Sequence, residues 1–213
     1  MSGTLTLHDH PYSSNALKVR FLLAELGLSY ERRHVRFQEP RPEWHTGVQP
    51  SGTIPLLIDG DLLIGESNAI LRYLARREQR HDLYPADPAE AAAVDWALDL
   101  WSTRVRPAFL EYEDAALWDS GDPETGGRHQ DGDRRRMAAA LPAVTAALDV
   151  WERFLPGGSH TALGRLTIAD CCVAPVLWRT RRLPIDLAGQ PNCASLRAAL
   201  ESHPAFLAAK PRG

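Results

Sequence analysis

The chain has 213 residues, 44% of them hydrophobic, with 24 basic against 27 acidic side chains and a formal net charge of -3. That length holds one large domain or two small ones with a real core, and the charge balance excludes a general nucleic-acid binder, whose footprint is a clearly basic surface. The first twenty residues carry no basic segment followed by an apolar one, and no apolar run nears the ~18 residues of a membrane span, so a cytoplasmic protein without a membrane partner is expected.

Leu5 to Leu7 reads as a short apolar strand, and a helix from about Ser14 to Leu26 ends at Gly27 as a C-cap requires. Tyr30 to Phe37 is a charged strand suited to an edge, which completes a βαβ unit. After a proline-rich link, "PLLID" and "LLIGE" flank Asp59-Gly60-Asp61, the turn chemistry of an antiparallel hairpin, and "ESNAILRYLARR" opens a helix. The first half thus reads βαβ-ββα. The polar segment around residues 80–88 reads as a linker, which divides the chain into domains 1–79 and 89–213. Beyond it only helical spacing recurs, through Val94, Leu98, Trp101, Val105 and Tyr112, then Met137, Leu141, Val144, Leu148, Trp151 and Leu155. Pro107 and Pro142 are expected to kink or restart these helices, and Asp119 to Asp133 reads as a loop poor in hydrophobes.

Three segments carry candidate chemistry. In "PYSSNALKVR" Ser13 and Ser14 stand where a helix begins, so each is either an N-cap or a hydroxyl offered to a ligand. In "PSGTIPLLIDGDLLIGESNAI" Pro55 opens a strand; a cis Ile54-Pro55 bond would turn the Ile54 backbone outward toward an extended ligand, the alternative being a tight loop with no ligand. In that segment Glu66-Ser67 marks a helix start whose amides favour a carboxylate, or else a plain N-cap. In "RLTIADCC" Thr167 and Asp170 have capping-box spacing, a structural role. Cys171, Cys172 and Cys193 have neither disulfide nor zinc spacing and read as buried small hydrophobes, and His8 with His10 falls short of a zinc ligand set, so no metal is expected. The basic runs Arg134 to Arg136 and Arg179 to Arg182 read as solvated helix faces.

Together "SSNALKVRFLLAELGLSYE", "SGTIPLLIDGDLLIGESNAILRYLA" and "LTIADCCVAPVLW" resemble the cytosolic glutathione S-transferases, serine-type and of the bacterial or plant-like classes, over essentially the whole chain. The resemblance implies a thioredoxin-like N-terminal domain followed by an all-helical C-terminal domain, with glutathione as co-substrate, a hydrophobic electrophile as partner and a homodimer. It implies Ser13 and Asn15 as catalytic residues. Ser14, His45, Thr53, Ile54, Pro55, Glu66 and Ser67 would bind glutathione, and Tyr12, Trp101, Tyr112 and Trp118 would line the acceptor pocket. The aromatics read equally well as core. Gln49-Pro50 and Thr53 depart from the family's Asn-Pro and Gln, Lys or Arg, which leaves the glycine end of glutathione to Arg41 or His45. The activity expected is thiol activation for attack on an electrophile. The alternatives are disulfide reduction, dehalogenation, a non-catalytic scaffold, or another thiol or none.

Overall fold

The structure, a computed structural model, describes residues 4–36, 40–117, 133–155, 157–181, 183 and 185–211. Strand β1 (Leu5–Asp9) leads through α1 (Ser14–Glu25) to β2 (Tyr30–His34), which pairs parallel to β1 with Leu5 opposite Tyr30. A short helix, α2 (Glu43–Thr46), lies in the proline-rich link. It is followed by β3 (Leu56–Asp59), β4 (Leu62–Ile64) and α3 (Ser67–Arg77). Both β3 pairings are antiparallel, so the sheet order is β2-β1-β3-β4 with the hairpin at one edge. This is the expected thioredoxin-like βαβ-ββα arrangement. Strand β2 stops at His34 rather than running on, and Phe37 lies outside the described residues.

Helix α1 is capped by Ser13, whose hydroxyl accepts the Ala16 amide, and Gly27 follows its end at φ +65°, a conformation glycine adopts without steric cost. It is buried nearly all round and packs against α3, α7 (Ile168–Arg179) and α9 (Pro204–Ala209). Even Lys18 and Arg20 are buried, so their charges need partners. Arg20 finds its own in both oxygens of Asp9, at 3.2 and 2.9 Å, and in the Pro11 carbonyl at 2.9 Å.

The rest is helical: α4 (Pro88–Leu100), a π-helical turn at Trp101–Val105, α5 (Arg106–Leu117), α6 (Arg134–Phe154), α7, α8 (Pro191–Ser202) and α9. Pro107 does mark a restart, since α5 begins at Arg106 after the π turn. Pro142 marks no restart: it sits inside α6, which runs on through it. Residues 118–132, most of the expected loop, lie outside the described residues. Cys171, Cys172 and Cys193 are all free and buried, and no described helix is long and apolar enough to cross a membrane.

The domains join where α1 packs on α7 and where Ile168 donates its amide to the Leu83 carbonyl. At that seam Thr167 and Asp170 form the expected capping box. The Asp170 carboxylate accepts the amides of both Thr167 and Thr161 at 2.7 Å.

Candidate functional site

The start of α1, the segment before β3 and the inner faces of α5 and α7 converge on a cavity of about 560 Å³. Its lining includes Tyr12, Ser13, Ser14, Asn15, Thr53 and Ile54 from the first half, and Arg106, Glu113 and Arg179 from the second. Ser13 Oγ accepts the Ala16 amide at 3.2 Å and Ser14 Oγ accepts from Arg106 Nη2 at 3.3 Å. Each bond uses a lone pair and leaves the hydroxyl proton available, so neither serine is committed to a structural role alone. Asn15 is exposed at the same mouth.

The Ile54-Pro55 bond is cis. Pro55 is buried, Ile54 faces the cavity, and the loop before them is held from behind. His45 is fully buried, with Nε2 3.1 Å from the Thr53 carbonyl and Nδ1 2.9 Å from His8 Nδ1. Because a carbonyl only accepts, His45 donates from Nε2, and the tautomers set which ring donates across the contact between the two Nδ1 atoms. His45 is not among the residues that line the cavity; it fixes the Thr53 backbone from behind. Arg41 does line it, with its guanidinium also donating to the Arg36 carbonyl. Gln49 Nε2 reaches Thr53 Oγ1 at 3.3 Å, close over Gly65, where a Cβ would lie 2.8 Å from that nitrogen. The departures at Gln49 and Thr53 thus bond to each other.

Glu66 and Ser67 stand at the start of α3, beside the cavity rather than on its wall. Glu66 is exposed at φ +56°, a conformation costly for a non-glycine residue that clusters at ligand sites. Ser67 Oγ lies 3.5 Å from Nζ of the buried Lys18, one turn along α1 from Ser14. Sequence reading missed Lys18 as a site residue, because only the packing of α1 on α3 brings it there.

The acceptor-pocket reading is corrected for two aromatics. Trp101 is fully buried, its ring 5.0 Å from that of Trp151, and Tyr112 is also core, so neither reaches the cavity. Tyr12 does line it, and Trp118 lies outside the described residues. In place of aromatics the second half brings charge. Arg106 Nη2 meets Glu113 Oε2 at 2.7 Å, Arg179 Nη1 meets the same oxygen at 3.2 Å, and Arg179 also donates to the Tyr12 carbonyl. Among the described residues no group of three or more His, Cys, Asp or Glu is placed to hold a metal ion.

Burial first, then the neighbouring His45 and Arg33, hold His8 down at about 4; burial and His34 do the same to His10, with Asp9 opposing. Their pKa values are lower folded than unfolded, so stability is full above pH 6.5 and falls as acid protonates the unfolded chain, down to about pH 4. At pH 5 each histidine is expected to have removed about 2 kcal/mol, at roughly 1.36 kcal/mol per pH unit. Urea unfolding at pH 7.5 and pH 5 checks this: His8→Gln should shrink the difference between the two, and an unchanged difference would refute the assignment.

Compared with known proteins, residues 3–76 match the glutathione S-transferase N-terminal domain and residues 134–208 the glutathione S-transferase C-terminal domain. Glutathione S-transferase 3 of Zea mays is 30% identical over 210 residues, covering 95% of this chain and 91% of that protein. Maleylacetoacetate isomerase of Rattus norvegicus is 28% identical over 218 residues, covering 99% and 94%. The solved structure of a glutathione transferase homologue from Drosophila mojavensis with bound glutathione has a TM-score of 0.77 at 26% identity, covering 98% of this chain and 96% of that one.

Proposed function

Because the chain belongs to the glutathione S-transferase family, we propose that its cavity binds glutathione and ionises the thiol for attack on an electrophile held by the helical half. One observation carries the reading: the hydroxyls that open α1 and the residue preceding a cis-proline line the same cavity. In this reading the Ile54 backbone pairs with the cysteine of glutathione. Ser13, Asn15 and the positive end of α1 face its sulfur. The γ-glutamyl carboxylate lies on Ser67 with Lys18 behind it, its ammonium lies toward Glu66, and Arg41 meets the glycine carboxylate. The thiolate forms a bond to an electrophilic carbon, and the leaving group departs with its electron pair.

The similarity to the rat isomerase supports a second reading. There the thiolate adds to a carbon–carbon double bond, the single bond that remains rotates, and the thiolate is expelled, so no glutathione is consumed. Retention on immobilised glutathione, followed by assays with an aryl chloride, a peroxide, a mixed disulfide and a cis-alkene diacid, separates the readings. Conjugate formation supports transfer, isomerisation without thiol loss supports the second reading, and retention with no turnover makes the chain a binding scaffold.

Ser67→Ala is expected to weaken glutathione binding by about 1.5 kcal/mol, the low end for a hydrogen bond to a charged group, because Lys18 and the α3 amides remain. An unchanged dissociation constant by calorimetry would move the γ-glutamyl site elsewhere. We further propose a homodimer in which Leu62 and Leu63 of β4 and Trp96 of α4, all exposed here, are covered. Light scattering at micromolar concentration should give twice the chain mass of 23.6 kDa, and a monomer mass would count against it.

A further inference from the structure

Glu113 is the only described carboxylate that touches the guanidinium groups of Arg106 and Arg179, and it meets both through one oxygen, Oε2. The trio therefore carries one uncompensated positive charge, although all three side chains are largely buried. Arg106 Nη1 is buried with no partner, and so is Glu113 Oε1, which leaves the cluster unsaturated. A buried donor without an acceptor is costly, and a buried charge more so, unless a ligand completes the set. The other acids on the wall, Glu111 and Asp114, do not supply it. Both are half-exposed and are held by Arg136 at 2.8 and 2.6 Å.

The position says which ligand. The groups facing the thiol come from the N-terminal half, whereas Arg106 and Arg179 come from α5 and α7 on the acceptor side. The π turn at Trp101–Val105 runs directly into Arg106, and such turns recur at functional sites. Arg106 is aimed so that Nη2 also touches Ser14, one residue from Ser13. A planar anion with two oxygens matches the guanidinium fork, as a carboxylate does.

Resting on the glutathione reading, we propose that the acceptor is a short electrophile bearing a carboxylate, held by Arg106 with Arg179 completing the positive field. Its reactive carbon is thereby set close to the thiolate. Two conjugates that differ only in this charge test it by calorimetry: S-(4-carboxybenzyl)glutathione and its neutral isostere S-(4-carbamoylbenzyl)glutathione. The carboxylate should bind at least tenfold more tightly. Arg106→Gln and Arg179→Gln should each remove most of that advantage and leave the carbamoyl conjugate within about twofold, while Arg106→Lys keeps part of it. Should Arg106→Gln fail to fold, Arg179→Gln at the end of α7 carries the test. Equal affinity of the wild-type protein for the two conjugates overturns the carboxylate site and leaves the glutathione reading standing. Failure of both to bind overturns the two together.

Discussion

Replacing Ser13 by alanine is expected to raise the pKa of bound glutathione by one to two units, the loss of about 1.5 to 3 kcal/mol, and so to slow conjugation at pH 7 roughly three- to thirtyfold as the ionised fraction falls. A free thiol near 8.5 is only a few per cent ionised at pH 7, and lowering it by about two units takes ~2.7 kcal/mol of selective stabilisation. One hydrogen bond to the anion supplies about 1.5 to 3 kcal/mol of this, and the α1 N-terminus about 0.3 to 1 more. The bond from the Ala16 amide does not compete, because it takes a lone pair of Ser13 and the thiolate takes the proton. Capping alone predicts a different pattern. Alanine at an N-cap costs about 1 kcal/mol of stability and glycine only a few tenths. Ser13→Gly should therefore melt close to the parent while its bound thiol, titrated by ultraviolet absorbance, shifts as in Ser13→Ala. The rival is Ser14, whose oxygen is polarised by Arg106. A larger shift in Ser14→Ala or Asn15→Ala would transfer the role.

Features set by local chemistry were legible in the sequence. Gly27 after an apolar run ends α1, Asp59-Gly60-Asp61 makes the β3–β4 hairpin, Pro55 stands immediately before β3, and Thr167 with Asp170 caps α7. Each of these depends on residues within a few positions of one another. Features set by packing were not. A helix buried all round gives no clean polar face, so nothing in "NALKVRFLLAE" announces that Lys18 ends beside Ser67. His8 and His45 look like isolated polar residues until β1 and α2 meet. Only the family resemblance made Trp101 a pocket candidate; its helical spacing equally fits the core, where the structure puts it. Arg106 gave no signal, because the π turn before it breaks the 3.6-residue register from which its facing would be read.

The largest effect on stability is expected at Asp170, where alanine should cost about 3 to 5 kcal/mol, well beyond the ~1 kcal/mol of an ordinary cap. Its carboxylate is fully buried and accepts the backbone amides of Thr161 and Thr167 at 2.7 Å, with the Thr167 hydroxyl at 3.1 Å. Alanine leaves both amides buried without an acceptor, at about 1 to 3 kcal/mol each. The charge itself adds less. Burial pushes this carboxyl up, and the amide bonds from Thr161 and Thr167 pull the other way, so holding the ion in the folded chain already costs free energy. Asparagine fits the same volume with one acceptor oxygen, satisfies one amide and sets its own N–H₂ against the other, so Asp170→Asn should fall about midway. Helix α7 carries Arg179 and packs on α1, so loosening its first turn should also weaken glutathione binding in proportion to the fraction unfolded, with no change in the pKa of whatever thiol remains bound. Urea unfolding of the two variants, with thiol titration alongside, decides it. A loss under 1 kcal/mol for Asp170→Ala, or a shifted thiol pKa, would show that Asp170 is not the structural anchor of this seam.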